Sequence, residues 1–263
     1  LMKRAILTFV ALVALATTAL AQEPVASVRP ATNDFRGRVQ GAFEWEPVKN
    51  LSVEAGLQLR LKNDLGSVDC FHTSVGIGYE VNDHFSFGAE YILINGYDSG
   101  KSTWEKPRHR LNINLETGVK IGRVELSLRE RVQTTYRTDS VNRYEKMPHE
   151  LILRSRLMAE YNIRHSKWSP YIFFELHNTL NAPQAVWNYK TDPFDFDNYI
   201  TRYRTGLGAK YRITRNHRLE FYYYFDYDSK YNIDYRANKG TLKGFYQENE
   251  WRHTFGISYK FKL

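Results

Sequence analysis

The chain has 263 residues, one cysteine and a formal net charge of +8. That length suits one large all-β domain, and a lone thiol, Cys70, excludes an internal disulfide. Beyond residue 21 no stretch approaches the roughly 20 apolar residues of a spanning helix. The basic residues fall at alternate positions rather than in a patch with a recognition helix, which excludes nucleic acid as a partner.

Met2-Lys3-Arg4, the apolar run from Ala5 to Ala16 and the small-x-small Ala19-Leu20-Ala21 have the three parts of a secretory signal peptide. Residues 1–21 are therefore read as a signal removed before Gln22, because a membrane anchor needs a longer apolar run. Residues 22–34, with Pro24 and Pro30, read as a linker or an irregular first strand.

From Phe35 onward the pattern has a period of two. Phe35, Val39, Phe43 and Trp45 alternate with charged residues up to a turn at Pro47-Val48-Lys49-Asn50. Leu51 to Leu61, Phe71 to Val81 and Phe85 to Leu93 repeat the alternation, separated by a loop through Gly66 and a turn at Asn82-Asp83-His84. A longer loop leads to Leu111–Val119, a turn at Gly122 to Val124–Val132, and the polar stretch Arg137–Glu150 to Leu151–Tyr161. Tyr171 to His177, Tyr199 to Tyr211 and Leu219 to Tyr227 follow, with long loops at Asn178–Asn198 and Asp228–Asn249. The last stretch, Glu250 to Leu263, sets Trp251, His253, Phe255, Ile257, Tyr259, Phe261 and Leu263 against a polar row. Side chains alternate across a strand, so each stretch has one apolar and one polar face.

Residues 35–263 are thus expected to form a transmembrane antiparallel up-and-down β-barrel of about twelve strands, with short periplasmic turns and longer extracellular loops. About eleven stretches alternate; bacterial single-chain barrels have even strand numbers, which favours a twelfth strand from Gln22–Asn33 over a segment threading the lumen. A soluble barrel with its apolar row inward is the rival, but about twelve strands around an apolar lumen would leave a large dry void. Apolar residues outward, in the outer membrane of a Gram-negative cell, avoid that void. Glu130 breaks the pattern by falling on the apolar row, and a β-bulge that turns it inward would remove the conflict.

The polar row carries the candidate functional residues: Arg36, Arg38, Arg60, Arg110, Arg129, Arg131, Arg154, Arg156, Arg202, Arg204 and Arg212, with Glu116, Glu160, Glu175 and Glu220. One reading is a ladder of Arg–carboxylate pairs that fills and stiffens a lumen, since guanidinium forks match carboxylates. The other is an anion-preferring pore or a site for an acidic ligand. An enzymatic alternative is the pair His72-x-Ser74, a base beside a nucleophile as a lipid hydrolase needs. Both residues fall on the polar row, however, and no group to orient the histidine is evident, so no catalytic residue is assigned. The histidines lack metal-ligand spacing, and His109 and His253 fit an interfacial aromatic belt. A third alternative is ligand or partner binding through the loops Asn178–Asn198 and Asp228–Asn249.

Leu57-Gln58-Leu59-Arg60, His109-Arg110-Leu111, Arg129-Glu130-Arg131, Leu153-Arg154-Ser155-Arg156, Pro170-Tyr171 with Glu175, and Arg202-Tyr203-Arg204-Thr205-Gly206-Leu207 resemble the domain-of-unknown-function 2490 family of bacterial outer-membrane β-barrel proteins. The resemblance implies an outer-membrane barrel and no assigned activity, cofactor or catalytic residue. The partners expected are outer-membrane lipid, the barrel-assembly machinery through the C-terminal strand and a small anionic solute. The expected form is a porin-like monomer without cofactor or metal.

Overall fold

The computed structural model describes residues 24–263, and the expected signal peptide lies outside the described residues. There are thirteen strands: β1 Ser27–Val28, β2 Thr32–Val48, β3 Leu51–Lys62, β4 Ser67–Asn82, β5 Phe85–Asp98, β6 Thr103–Trp104, β7 Arg108–Ile121, β8 Val124–Arg137, β9 His149–Tyr161, β10 Trp168–Pro183, β11 Phe196–Arg212, β12 His217–Tyr235 and β13 Leu242–Lys262. All but the two-residue β1 and β6 pair with their chain neighbours, antiparallel throughout, and β13 pairs with β2 to close the barrel.

The barrel therefore has eleven strands rather than twelve. An odd count leaves the first and last strands running the same way, and the closing seam is parallel, from Glu250↔Thr32 to Lys262↔Glu44. Part of the segment expected to be a linker or an extra strand is absorbed into the start of β2. The rest adds only β1, which lies parallel to β13 at Ser27↔Tyr246 and Val28↔Gln247.

Connections at one end are tight, at 49–50, 83–84, 122–123, 162–167 and 213–216. Asn50 (φ 68°) and Gly122 (φ 63°) supply the left-handed backbone that two such turns require. The other end carries 63–66, 99–107, 138–148, 184–195 and 236–241. The loops expected at Asn178–Asn198 and Asp228–Asn249 are shorter than the sequence implied, because β10, β11, β12 and β13 all continue into them. The apolar row stops before the hydrogen-bond ladder does, so strand persists where both faces are polar. These extensions, with loop 138–148, enclose a small core in which Tyr144 stacks on Tyr189 and meets Tyr235 edge-on.

The burial pattern is the inverse of a water-soluble protein's. Val39, Leu57, Ile77, Phe87, Leu115, Leu207 and Phe255 are all exposed, and Ile172 is 64 % exposed. Glu175, Asp226 and Asp228 are 1–2 % exposed. In a closed barrel the buried row is the interior one, so the charged residues face the lumen and the apolar ones the outside. His109 lies on the outer face between the rings of Tyr91 and Tyr136, and His253 against Tyr223 and Phe225. Glu130 stays outside as well. Its strand pairs with both neighbours without a register shift, so no bulge turns it in, and Ser155 Oγ donates to its Oε2 at 2.6 Å.

Candidate functional site: an unevenly filled lumen

The wall formed by β8 to β13 and β2 is packed with paired charge. Cross-strand register sets Glu175 opposite Arg204, Arg204 opposite Asp226, and Asp226 opposite Arg252. Glu175 accepts from Arg154 Nη2 (2.8 Å) and Arg129 Nη2 (3.0 Å), with Arg204 Nη1 at 3.5 Å and His177 Nε2 at 2.7 Å. Arg204 also forks onto Asp226, Nε at 2.6 Å and Nη2 at 3.0 Å. The next level toward the loops repeats the motif. Arg202 forks onto Asp228, Arg252 joins Asp228 to Glu250, and Arg36 joins Glu250 (3.1 Å) to Asp34 (2.5 Å). Such bidentate, charge-assisted bonds hold both partners in one geometry.

On the short-turn side of this network the same wall is filled by rings. Tyr171 and Phe173 lie over Gly208 and Gly206, and Tyr222 over Gly256. A Cβ on Gly206 would sit 2.5 Å from Phe173 Cε1, and one on Gly208 2.5 Å from the Tyr171 hydroxyl. Glycine is required because the ring occupies the place of its side chain. Arginines cover the rings in turn: Arg156 sits 3.9 Å over Phe173, and Arg204 and Arg38 sit 4.2 and 5.0 Å from the Tyr224 centroid.

The opposite wall, β3 to β7, is hollow in its short-turn half, while Cys70, His72, Ile92, Ile94 and Asn112 are buried in its loop-end half. Ser52, Ser74, Gly76, Gly78, Ser86 and Gly88 are too small to reach the axis, and they border a recess of about 300 Å³. Glu54, Glu80, Glu90, Glu116 and, from β8, Arg129 and Arg131 look into it. Arg131 donates to Asn114 Oδ1 at 2.5 Å and lies 3.8 Å from Glu90, whereas Glu116 has no ion pair among the described residues.

Of the residues singled out in the sequence, Arg36, Arg129, Arg131, Arg154, Arg202 and Arg204 meet carboxylates, Glu160 holds Lys210 at 2.6 Å, and Glu220 accepts from the Tyr171 hydroxyl. Arg156 instead lies against Phe173 and Met158. Arg38, Arg60 and Arg110 close no ion pair with a carboxylate among the described residues; Arg38 lies over the Tyr224 ring, and Arg60 and Arg110 donate to Gln58 and Thr135. Arg212 is exposed at the short-turn end opposite Arg218. The ladder of Arg–carboxylate pairs is thus partial. His72 Nε2 faces Cys70 Sγ at 3.4 Å, while Ser74 Oγ packs over Gly56. Asp34, His177 and Asp228 complete the network without having been singled out. Asp228 and Asp34 fell in segments read as loop and linker, although the two-residue alternation of Asp226, Asp228 and Lys230 continues past the last apolar residue.

A closed barrel with an apolar exterior and a charged interior is a porin-like β-barrel. Residues 38–238 match the family described as protein of unknown function (DUF2490), so the chain belongs to that family. A structure of the NanC porin in a rhombohedral crystal form aligns over 88 % of this chain and 99 % of its own, at 14 % identity and a TM-score of 0.43. No curated protein matches the sequence.

Proposed function

We propose that the protein is an integral outer-membrane barrel of a Gram-negative bacterium, exported by its N-terminal signal, whose half-filled lumen forms a narrow pore. The observation that carries this reading is the circuit of exposed Leu, Ile, Val and aromatic side chains, interrupted at Glu130, around a charged interior. In water so large an apolar surface would drive aggregation, whereas in a bilayer it is the face that meets lipid. Side-chain histidines and tyrosines on the outer face suit the interfacial girdles of such barrels.

The hollow wall supports passage of water and small ions, and the packed wall keeps the passage narrow. The hydrolase alternative is not favoured, since the His72 ring is enclosed beside Cys70 rather than aimed at Ser74. Loop-mediated binding is not favoured either, because the loop residues Tyr144, Tyr189 and Val186 are spent on contacts with one another and with β12.

Purified full-length protein in planar bilayers tests the pore: discrete conductance steps are expected, and their absence at protein levels that insert would leave only a structural barrel. Cell fractionation tests the location. Recovery in the detergent-resistant outer-membrane fraction is expected, and recovery as a dissolved periplasmic protein would overturn the membrane reading itself.

A further inference from the structure

We propose that Arg38, Arg60 and Arg110 form an anion-binding site in the loop-end half of the lumen, for a small solute carrying carboxylate or phosphate oxygens. The proposal rests on the outer-membrane pore reading and names the solute class that pore would hold.

Most lumen arginines satisfy their forks on carboxylates, but these three do not. Arg60 gives only Nε, to Gln58 Oε1 at 2.5 Å, and Arg110 gives only Nε, to Thr135 Oγ1 at 3.1 Å. Arg38 makes a single contact, with the Tyr224 ring. The terminal Nη groups of all three are left without acceptors among the described residues. A guanidinium has five donors, so the three together present an unfilled array of terminal nitrogens, whereas Arg129, Arg154, Arg204 and Arg252 leave at most a buried Nε unmatched and set their terminal nitrogens on carboxylates.

The three also converge. Register places Arg38 directly opposite Arg60 and Arg60 opposite Cys70, with His72 two residues along the same face. Arg60, Arg110, Arg38 and Arg108 all act electrostatically on the His72 ring. Arg108 differs in having Glu105 at 3.8 Å. Like charges gathered in a restricted lumen repel unless a counter-charge joins them; Glu150 acts on Arg110 and Asp69 on Arg60 from a distance, but neither closes an ion pair with them. The Tyr224 hydroxyl is buried without a partner on the same side and can donate to an oxyanion. All three arginines are only partly buried, so a solute can reach them. Planar forks of this kind recognise carboxylate and phosphate oxygens by paired N–H donors.

The test is calorimetric titration of the full barrel in zwitterionic detergent at low ionic strength, with citrate and inorganic phosphate as probes. Saturable binding near one equivalent is expected. Arg60→Gln and Arg110→Gln should each weaken it about tenfold, the loss of one charge-assisted contact, while Arg212→Gln at the short-turn end leaves it unchanged. No saturable binding to the wild-type barrel would overturn the site, whether or not the variants fold. Binding that falls equally in Arg212→Gln would overturn it too, since the attraction would then be that of net charge alone. The site and the pore fail separately: conductance without binding rejects the site and keeps the pore, and binding without conductance does the reverse.

Discussion

Two walls of one barrel treat the same alternating pattern in opposite ways. From β8 round to β2, large side chains fill the lumen, and most buried charges meet their opposites, Arg156 and Arg38 lying on aromatic rings instead. In the short-turn half of β3 to β7, serines and glycines hold the matching positions and leave a recess bordered by carboxylates. The difference teaches that a strand's inward row does not by its polarity say whether it fills or lines a lumen. Side-chain size at those positions decides, because a Gly-Ser row cannot reach the axis whatever its neighbours carry.

Breaking the hub of the packed wall should have the largest effect. Glu175→Ala removes the acceptor shared by Arg129, Arg154, Arg204 and His177 and leaves buried guanidinium charge uncompensated, a loss of about 3–5 kcal/mol. Urea unfolding in detergent micelles measures it. A loss below about 1 kcal/mol would mean that water enters this wall as freely as the other. Next comes Gly206→Ala, which drives a methyl group into Phe173 and should cost about 1–3 kcal/mol.

The matching change on the hollow side is Gly118→Ala in β7, where the nearest atom to a new Cβ is 3.5 Å away. It should change stability by no more than about 0.5 kcal/mol, so the pair of glycines reads the asymmetry directly. Smallest in stability is Glu116→Gln, which removes an unpaired carboxylate from the recess. Less than about 0.5 kcal/mol is expected in unfolding, but reversal potentials in a salt gradient should move toward anions. An unmoved reversal potential would place Glu116 away from the ion path.

The strands, the sidedness of their faces and the sparse turns were legible from Phe35 onward because period-two alternation is a local property. Strand ends were not. The alternation of apolar and polar residues fades at Tyr227, yet β12 runs to Tyr235, since backbone pairing needs a partner strand and not an apolar face. Alternation marked eleven strands, and the twelfth was added only for the sake of an even number. Evenness holds when first and last strands pair antiparallel, and whether they do is decided by residues far apart in the chain. The arginines were all visible, but their division into paired and unpaired depends on register. Arg204 has Glu175 and Asp226 beside it, Arg60 has Cys70 and Arg38, and nothing adjacent in sequence distinguishes them. Glu130 broke the apolar row, and the bulge that would turn it inward does not form: it stays on the outer face, hydrogen-bonded to Ser155.

The parallel seam has a consequence for assembly. Every other junction between neighbouring strands of the barrel is made by chain that folds back on itself, so it can start from a turn. The β2–β13 junction has no turn to start from: Arg36 and Glu250, which meet across it, are 214 residues apart. Joining them requires closing a loop that contains nearly the whole domain, and the parallel ladder so formed is slightly weaker per residue than its antiparallel neighbours. Closure of the cylinder is therefore expected there last, and force spectroscopy on the chain in a bilayer should show the first unravelling step at β2 or β13.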